Sequence, residues 1–267
     1  MLIIGERINA SRKRIAPAVE NKDAGFIIQE AGMQIEAGAD YVDANAGTFG
    51  PEREPGLLCW LVETIQGSHE CRISLDSPNP AAIEPALKLH KGKALINSIS
   101  LETARFDSLL PLVRDHGTDV IAMCADDQGM PTDLENKLRI AGTLVEKLTA
   151  AGVPLENIYV DPLVYPISTD HSYGTVVLQA IERIMTGFPG VHTSIGLSNV
   201  SYGLPFRFQL NQMFMVLAMG RGLDAAILDP TDKRLMANVI TASALLGRDE
   251  FCMKYLEAHQ GGKLDLE

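Results

Sequence analysis

The chain has 267 residues, 46% hydrophobic and 21% charged, with a formal net charge of −11. That balance suits a globular protein with a sizeable core, and its acidity argues against nucleic acid as a partner. No apolar run approaches the ~20 residues of a membrane-spanning helix. The opening MLIIGERINASRKR carries its basic residues after a short apolar stretch, unlike a secretory signal. Cys59, Cys71, Cys124 and Cys252 lack CxxC spacing, so free, buried thiols in a reducing cytoplasm are expected.

Short apolar runs flanked by turn residues predict eight strands, each buried on both faces. They are 2–8, 41–46, 71–77, 94–100, 119–125, 158–163, 192–199 and 225–230. Helical stretches lie between them. AGFIIQEAGMQIEAGAD meets a stop at Gly38 before the second strand. PNPAAIEPALKLHKGK opens on proline and closes at Gly92. DLENKLRIAGTLVEKLTAAGV begins with Asp133 as a cap and carries Glu135 and Glu146 on an exposed face. RFQLNQMFMVLAMGRG and DKRLMANVITASALLG supply the last two helices, with Met213, Met215 and Met219 read as packing residues. Eight strands alternating with eight helices predict a single-domain α/β protein over 1–267. A closed (β/α)8 TIM barrel is favoured over a doubly wound sheet. The terminal GGKLDLE reads as a frayed tail.

The polar residues gather where strands end. Strand one ends on Glu6, Arg7 and Asn9, strand two on Asp43 and Asn45, strand three on Asp76, and strand four on Asn97. Strand five ends near Asp126, strand six on Asp161, strand seven on Ser198 and Asn199, and strand eight on Asp229. Asp and Asn are depleted inside strands. Any one of them could simply cap the next helix, but the recurrence around a barrel points to a mouth where a ligand binds.

Phosphorylated ligands call for Arg, Lys or a glycine nest. The mouth offers Arg7 and Arg207, and the chain has no GxGxxG and no GKS or GKT. The six histidines fall mostly in helix or loop stretches, so no metal site is expected. A neutral, amide-rich heterocycle fits carboxylates and amides better: its N–H donors pair with a carboxylate, and Asn answers both donors and acceptors.

Six motifs occur in order at those strand ends: IGERIN (4–9), DANAG (43–47), LDSPN (75–79), INS (96–98), DPL (161–163) and GLSNVS (196–201). Together they resemble the pterin-binding methyltransferases, which move a methyl group between N5 of tetrahydrofolate and the cobalt of a corrinoid. Members of that family include the methyltetrahydrofolate:corrinoid/iron–sulfur protein methyltransferase and, more distantly, the folate domain of cobalamin-dependent methionine synthase. The resemblance spans nearly the whole chain and implies a pterin-binding TIM barrel. By it, Asp76, Asn97 and Asp161 contact the pterin edge, and Asn199 sits beside N5. Asn9, Asp43, Asn45, Gly196 and Ser198 line the same cavity, and Arg207 lies toward the aminobenzoate or glutamate end. It further implies tetrahydrofolate or 5-methyltetrahydrofolate as substrate, a corrinoid (cobalamin) supplied by a separate corrinoid protein, and a homodimer. The direction of transfer stays open. The chain departs from the family at Tyr202-Gly203-Leu204-Pro205, where members are more polar, which leaves the partner's identity open.

The chemistry explains an amide at that place. A methyl on a tertiary amine leaves poorly unless the nitrogen is protonated or its developing charge is stabilised. A fixed amide hydrogen-bonds to the protonated nitrogen through oxygen, or to the neutral one through NH₂. A carboxylate would hold the ground-state cation too tightly. Three alternatives fit less well. A dihydropteroate synthase resembles its own relatives by Lys and Arg near the late strands, whereas these strands end in Asn199 and Asp229. A non-catalytic pterin-binding barrel is not excluded by sequence, but a corrinoid carrier resembles its relatives by DxHxxG, which is absent here. A barrel hydrolase or aldolase needs a histidine cluster or a strand-end lysine, and Lys93 precedes its strand.

Overall fold

The computed structural model describes residues 1–265. Of the predicted tail, residues 266 and 267 lie outside the described residues. Eight parallel strands are observed. They are β1 (Leu2–Asn9), β2 (Tyr41–Asn45), β3 (Arg72–Asp76), β4 (Leu95–Leu101), β5 (Asp119–Asp126), β6 (Ile158–Asp161), β7 (His192–Thr193) and β8 (Ala225–Leu228). Neighbours in sequence are neighbours in space, and β8 returns to pair with β1 in register Leu2↔Ala225 to Gly5↔Leu228. Between β7 and β8 the ring meets at a single bridge, Gly196↔Ile227, where the Ile227 N–H donates to the Ile195 carbonyl at 2.8 Å.

The helices are α1 (Ile15–Glu20), α2 (Ala24–Glu36), α3 (Glu54–Ser68), α4 (Pro80–Leu89) and α5 (Thr103–His116). They continue with α6 (Leu134–Ala150), α7 (Tyr173–Gly187), α8 (Arg207–Gly220), α9 (Lys233–Leu245) and α10 (Met253–Gln260). Eight form the outer ring, and α1 and α10 are additions to the predicted pattern. Several starts are fixed by side chains: Asp23 accepts from Phe26 N, Asp133 from Asn136 N and Asp232 from Leu235 N. Each such cap contributes about 1 kcal/mol. The main core lies between strands and helices, where apolar residues of both are fully buried. A separate layer, Ile4, Tyr41, Leu95, Ile121, Tyr159 and Ala225, fills the barrel's lower interior.

The base of the barrel is closed by polar side chains at the starts of strands. The Tyr41 hydroxyl donates to Asp119 at 2.8 Å, and Lys93 pairs with the same carboxylate and donates to Asn157 at 2.6 Å. The Arg72 guanidinium lies 4.3 Å from the Tyr41 ring centre. His192 stacks on Tyr159 at 4.7 Å and meets Asp224 at 2.6 Å.

Three expectations need correcting. The strand predicted over 192–199 is two residues long, and Leu197–Ser201 form a 3₁₀ turn, so Ser198 and Asn199 sit on a turn instead of a strand. The run is apolar because it is buried, and burial alone does not impose a ladder. Of the four cysteines, all free, only Cys124 is buried and Cys252 is exposed. Met215 and Met219 are fully buried, but Met213 is 48% exposed. Among the described residues no helix is long and apolar enough to cross a membrane.

Candidate active site

The C-terminal ends of the strands surround a cavity of about 640 Å³. Its walls come from β1 and the loop after it, from the ends of β2, β3 and β4, from the turn after β7, and from the starts of α8 and α9. Of the ten residues singled out in sequence, eight line it: Asn9, Asp43, Asp76, Asn97, Gly196, Ser198, Asn199 and Arg207. Asn45 and Asp161 are not part of that lining. Asn45 instead donates from Nδ2 to the Asp76 carboxylate at 3.0 Å. Asp161 accepts from the Leu163 N–H at 2.7 Å.

Glu6 and Asp229 are paired with Arg12 and Arg7, whereas Asp43, Asp76 and Asp161 form no ion pair among the described residues. Asp43 accepts from Ser74 Oγ at 2.5 Å and from Asn97 Nδ2 at 3.3 Å. Burial raises its carboxyl well above the ordinary range, and the neighbouring Asp76 raises it further. Burial likewise pushes Asp76 up to about 6, against hydrogen bonds from Asn45 and Asp43 and the charge of Arg105. Asp161 is pushed up to about 6 by burial, partly offset by the Leu163 N–H and by Lys137. Buried carboxylates in this state gain from a ligand that brings paired N–H donors, the pattern of a guanidine-like ring edge.

The turn after β7 is fixed from below and from the side. Ser198 Oγ donates to Glu6 at 2.9 and 3.0 Å. Arg207 donates to the Ser198 carbonyl at 2.7 Å and to Ser201 Oγ at 3.1 Å, which places its guanidinium on the turn itself. A Cβ at Gly196 would come within 3.0 Å of Asn199 Nδ2, so glycine is what lets that amide fold across the chain. Among the described residues the Asn199 side chain makes no hydrogen bond. A preorganised backbone carries an unengaged amide facing the cavity.

Reading strand ends alone misses several residues. Arg12 pairs with Glu6 at 2.7 Å. Arg105, in the first turn of α5, donates to the Ser98 carbonyl at 2.9 Å. Lys137 of α6 is almost fully buried and donates to the carbonyls of Pro162 and Leu163, and burial lowers it to about 8. Asn211 of α8 lines the cavity with a buried, unpartnered Oδ1. The available signal was position: each helix following a strand turns its first turns toward the mouth. Beside the main cavity lies a second of about 700 Å³, sharing Phe208, Asp229 and Asp232 and bordered by Arg7, Lys233 and Arg234. Three aromatic side chains of the same segment are exposed, Tyr202 by 66%, Phe206 by 88% and Phe208 by 70%.

Comparison with known proteins agrees with this geometry. A family profile described as pterin binding enzyme matches residues 5–229. The chain is 38% identical over 266 residues to a methylcorrinoid:tetrahydrofolate methyltransferase of Eubacterium limosum, covering 99% of this chain and 98% of that protein. It is 30% identical over 240 residues to methionine synthase of Mycobacterium tuberculosis, covering 85% of this chain and 20% of that longer protein. Among solved structures, dihydropteroate synthase of Xanthomonas albilineans with 4-aminobenzoic acid superposes with a TM-score of 0.68 at 18% identity, over 93% of this chain and 92% of that one. The Coxiella burnetii dihydropteroate synthase with pteroic acid gives 0.70 at 16%, over 91% and 94%. These two establish the fold alone.

Proposed function

From the premise that the chain belongs to the family of pterin binding enzymes, we propose that it carries a methyl group from the cobalt of a methylcorrinoid to N5 of tetrahydrofolate. It is a methyltransferase of the folate–corrinoid kind, as its full-length similarity to the Eubacterium limosum enzyme supports. The direction is part of the proposal and has the support of that relative, a methylcorrinoid:tetrahydrofolate methyltransferase. The observation that carries the reading is the cavity itself, walled by Asp43, Asp76 and Asn97 on one side and by the free amide of Asn199 on the other.

In this reading the pterin's N–H edge replaces water at the buried carboxylate of Asp76, and Asn97 fixes the ring's orientation. Asp161, held by the Leu163 N–H, completes that edge. The lone pair of N5 attacks the methyl carbon, and the cobalt–carbon pair stays on cobalt as cobalt(I). Asn199 hydrogen-bonds to the nitrogen as its charge develops, a stabilisation stronger in the transition state than in the ground state. Arg207 holds the turn that presents Asn199 and faces the folate's anionic tail. Cobalt arrives on a separate corrinoid protein, which the exposed aromatics beside the mouth support. The protein acts as a homodimer in the cytoplasm, a reading that the exposed Met213 and Leu217 of α8 support for the second copy.

The test is a direct assay. Methylcobalamin and tetrahydrofolate are expected to yield 5-methyltetrahydrofolate and the absorbance of cob(I)alamin, with the reverse reaction measurable from the opposite mixture. Transfer in neither direction, or pyrophosphate released from a pterin pyrophosphate with 4-aminobenzoic acid, would overturn the assignment.

A further inference from the structure

Methyl transfer to tetrahydrofolate leaves a proton to be placed. N5 begins as a secondary amine. After its lone pair has taken the methyl, it carries both methyl and hydrogen with a positive charge. The nitrogen becomes the neutral tertiary amine only when the N–H pair returns to it and the proton leaves. Five acids line the cavity, and each has partners within the chain. Asp43 is held by Ser74 and Asn97. Asp76 is held by Asn45 and belongs to the pterin edge in the proposed reading. Asp229 is tied to Arg7 and Thr231. Asp232 caps α9 and accepts from Gln212.

Glu6 is paired with Arg12 at 2.7 Å, but among the five it is the one that also accepts from the turn carrying Asn199, through the hydroxyl of the adjacent Ser198. We propose that Glu6 is the proton acceptor of the site, taking the proton that N5 sheds on methylation and returning it in the reverse reaction. This rests on the methyl-transfer reading above. The balance closes: the methyl moves to nitrogen with the nitrogen's pair, cobalt keeps the cobalt–carbon pair, and the proton passes to the Glu6 carboxylate and then to solvent. The surroundings suit that task. Burial raises the Glu6 carboxyl, while Arg12 and the Ser198 hydroxyl lower it and Asp229 raises it. Arg12 comes from the loop after β1, and Asp229 with its partner Arg7 from the end of β8 and from β1. Ser198 and Arg207 come from the segment between β7 and α8, and Asp43 of β2 lines the same cavity. A carboxyl balanced in this way ionises nearer neutrality than a free one, where a base serves a reaction at physiological pH.

The experiment is single-turnover methyl transfer from methylcobalamin to tetrahydrofolate for wild type, Glu6→Gln and Ser198→Ala, from about pH 5 to about pH 9 to bracket a shifted carboxyl. Calorimetry measures folate binding in parallel. Glutamine keeps an acceptor for Ser198 but takes no proton. Glu6→Gln is expected to slow transfer roughly 10²–10³-fold, as loss of a general base does. It also shifts the midpoint of the pH profile by more than about one unit while folate affinity stays within about twofold. Ser198→Ala keeps the carboxyl but removes a hydrogen bond that lowers it, so its profile is expected to keep a titrating limb with the midpoint moved upward. Superposable profiles for the two variants would make Glu6 a support for the turn and overturn the proposal, as would a wild-type midpoint in Glu6→Gln. A wild type inactive in both directions overturns the methyl-transfer reading first and this one with it.

Discussion

The two ends of the barrel both bury charged and polar side chains, but they dispose of them differently. At the base, Asp119 holds Tyr41 and Lys93, Asp224 holds His192 and the Thr193 N–H, and Arg72 rests on an aromatic face. At the mouth, burial pushes Asp76 and Asp161 up to about 6, the buried Asn211 oxygen has no partner, and the exposed Asn199 amide makes no hydrogen bond within the described residues. Buried polar groups are normally satisfied, because an unmade hydrogen bond costs about 1–3 kcal/mol. What sets the mouth apart is its raised carboxyls: ionised and buried without ion pairs among the described residues, Asp76 and Asp161 cost stability that a ligand with N–H donors would return in the proposed reading.

This contrast can be broken by substitution. Asn199→Ala is expected to slow methyl transfer about 10²–10³-fold, about 2.7–4 kcal/mol, with little change in folate affinity. Unchanged single-turnover rates would remove Asn199 from the chemistry. Asp76→Asn or Asp161→Asn should weaken pterin binding by about 1.5–3 kcal/mol, roughly 10- to 150-fold, read by calorimetry. The stability of Asp76→Asn sharpens the point. Because the folded Asp76 is raised to about 6, its contribution is present in acid and lost as pH rises through that value. The variant should therefore melt at or above wild type at mildly alkaline pH. A lower melting temperature there would mean that Asp76 belongs to the scaffold.

The base should behave the other way. The hydrogen bond with Asp224 raises His192 above 6.5, against its burial. The stability it contributes is fully present below about 6.5 and lost as pH rises through the higher folded value. His192→Gln should then lower the melting temperature in acid, with a deficit that fades in alkali, and should leave folate affinity unchanged. A deficit independent of pH would show that stacking on Tyr159 matters and the charge does not.

How much of this was legible beforehand differs by element. The eight strand runs and the placement of acids at their ends follow from apolar runs interrupted by Asp and Asn, and all but one strand matched within about two residues, the usual boundary error. β7 failed because HTSIG (192–196) mixes small polar and apolar residues in a buried setting: Thr193 and Ser194 are fully buried without forming more ladder. Glu6 was visible as a strand-end acid, but its link to Ser198 joins residues 192 positions apart and has no local trace. Lys137 looked like any lysine on a charged helix face, and only the fold shows it turned inward to the Pro162 and Leu163 carbonyls.

The meeting of β7 and β8 at Gly196 and Ile227 has an architectural consequence. Seven neighbouring strand pairs are laced by ladders, and this one is pinned at a single stitch. The Asn199 amide therefore hangs from the loosest seam of the hoop, while Asp43 and Asp76 are mounted on strands laced by longer ladders. Under the proposed function, a chain built so can shift the group that meets the incoming methyl without disturbing those that grip the ring.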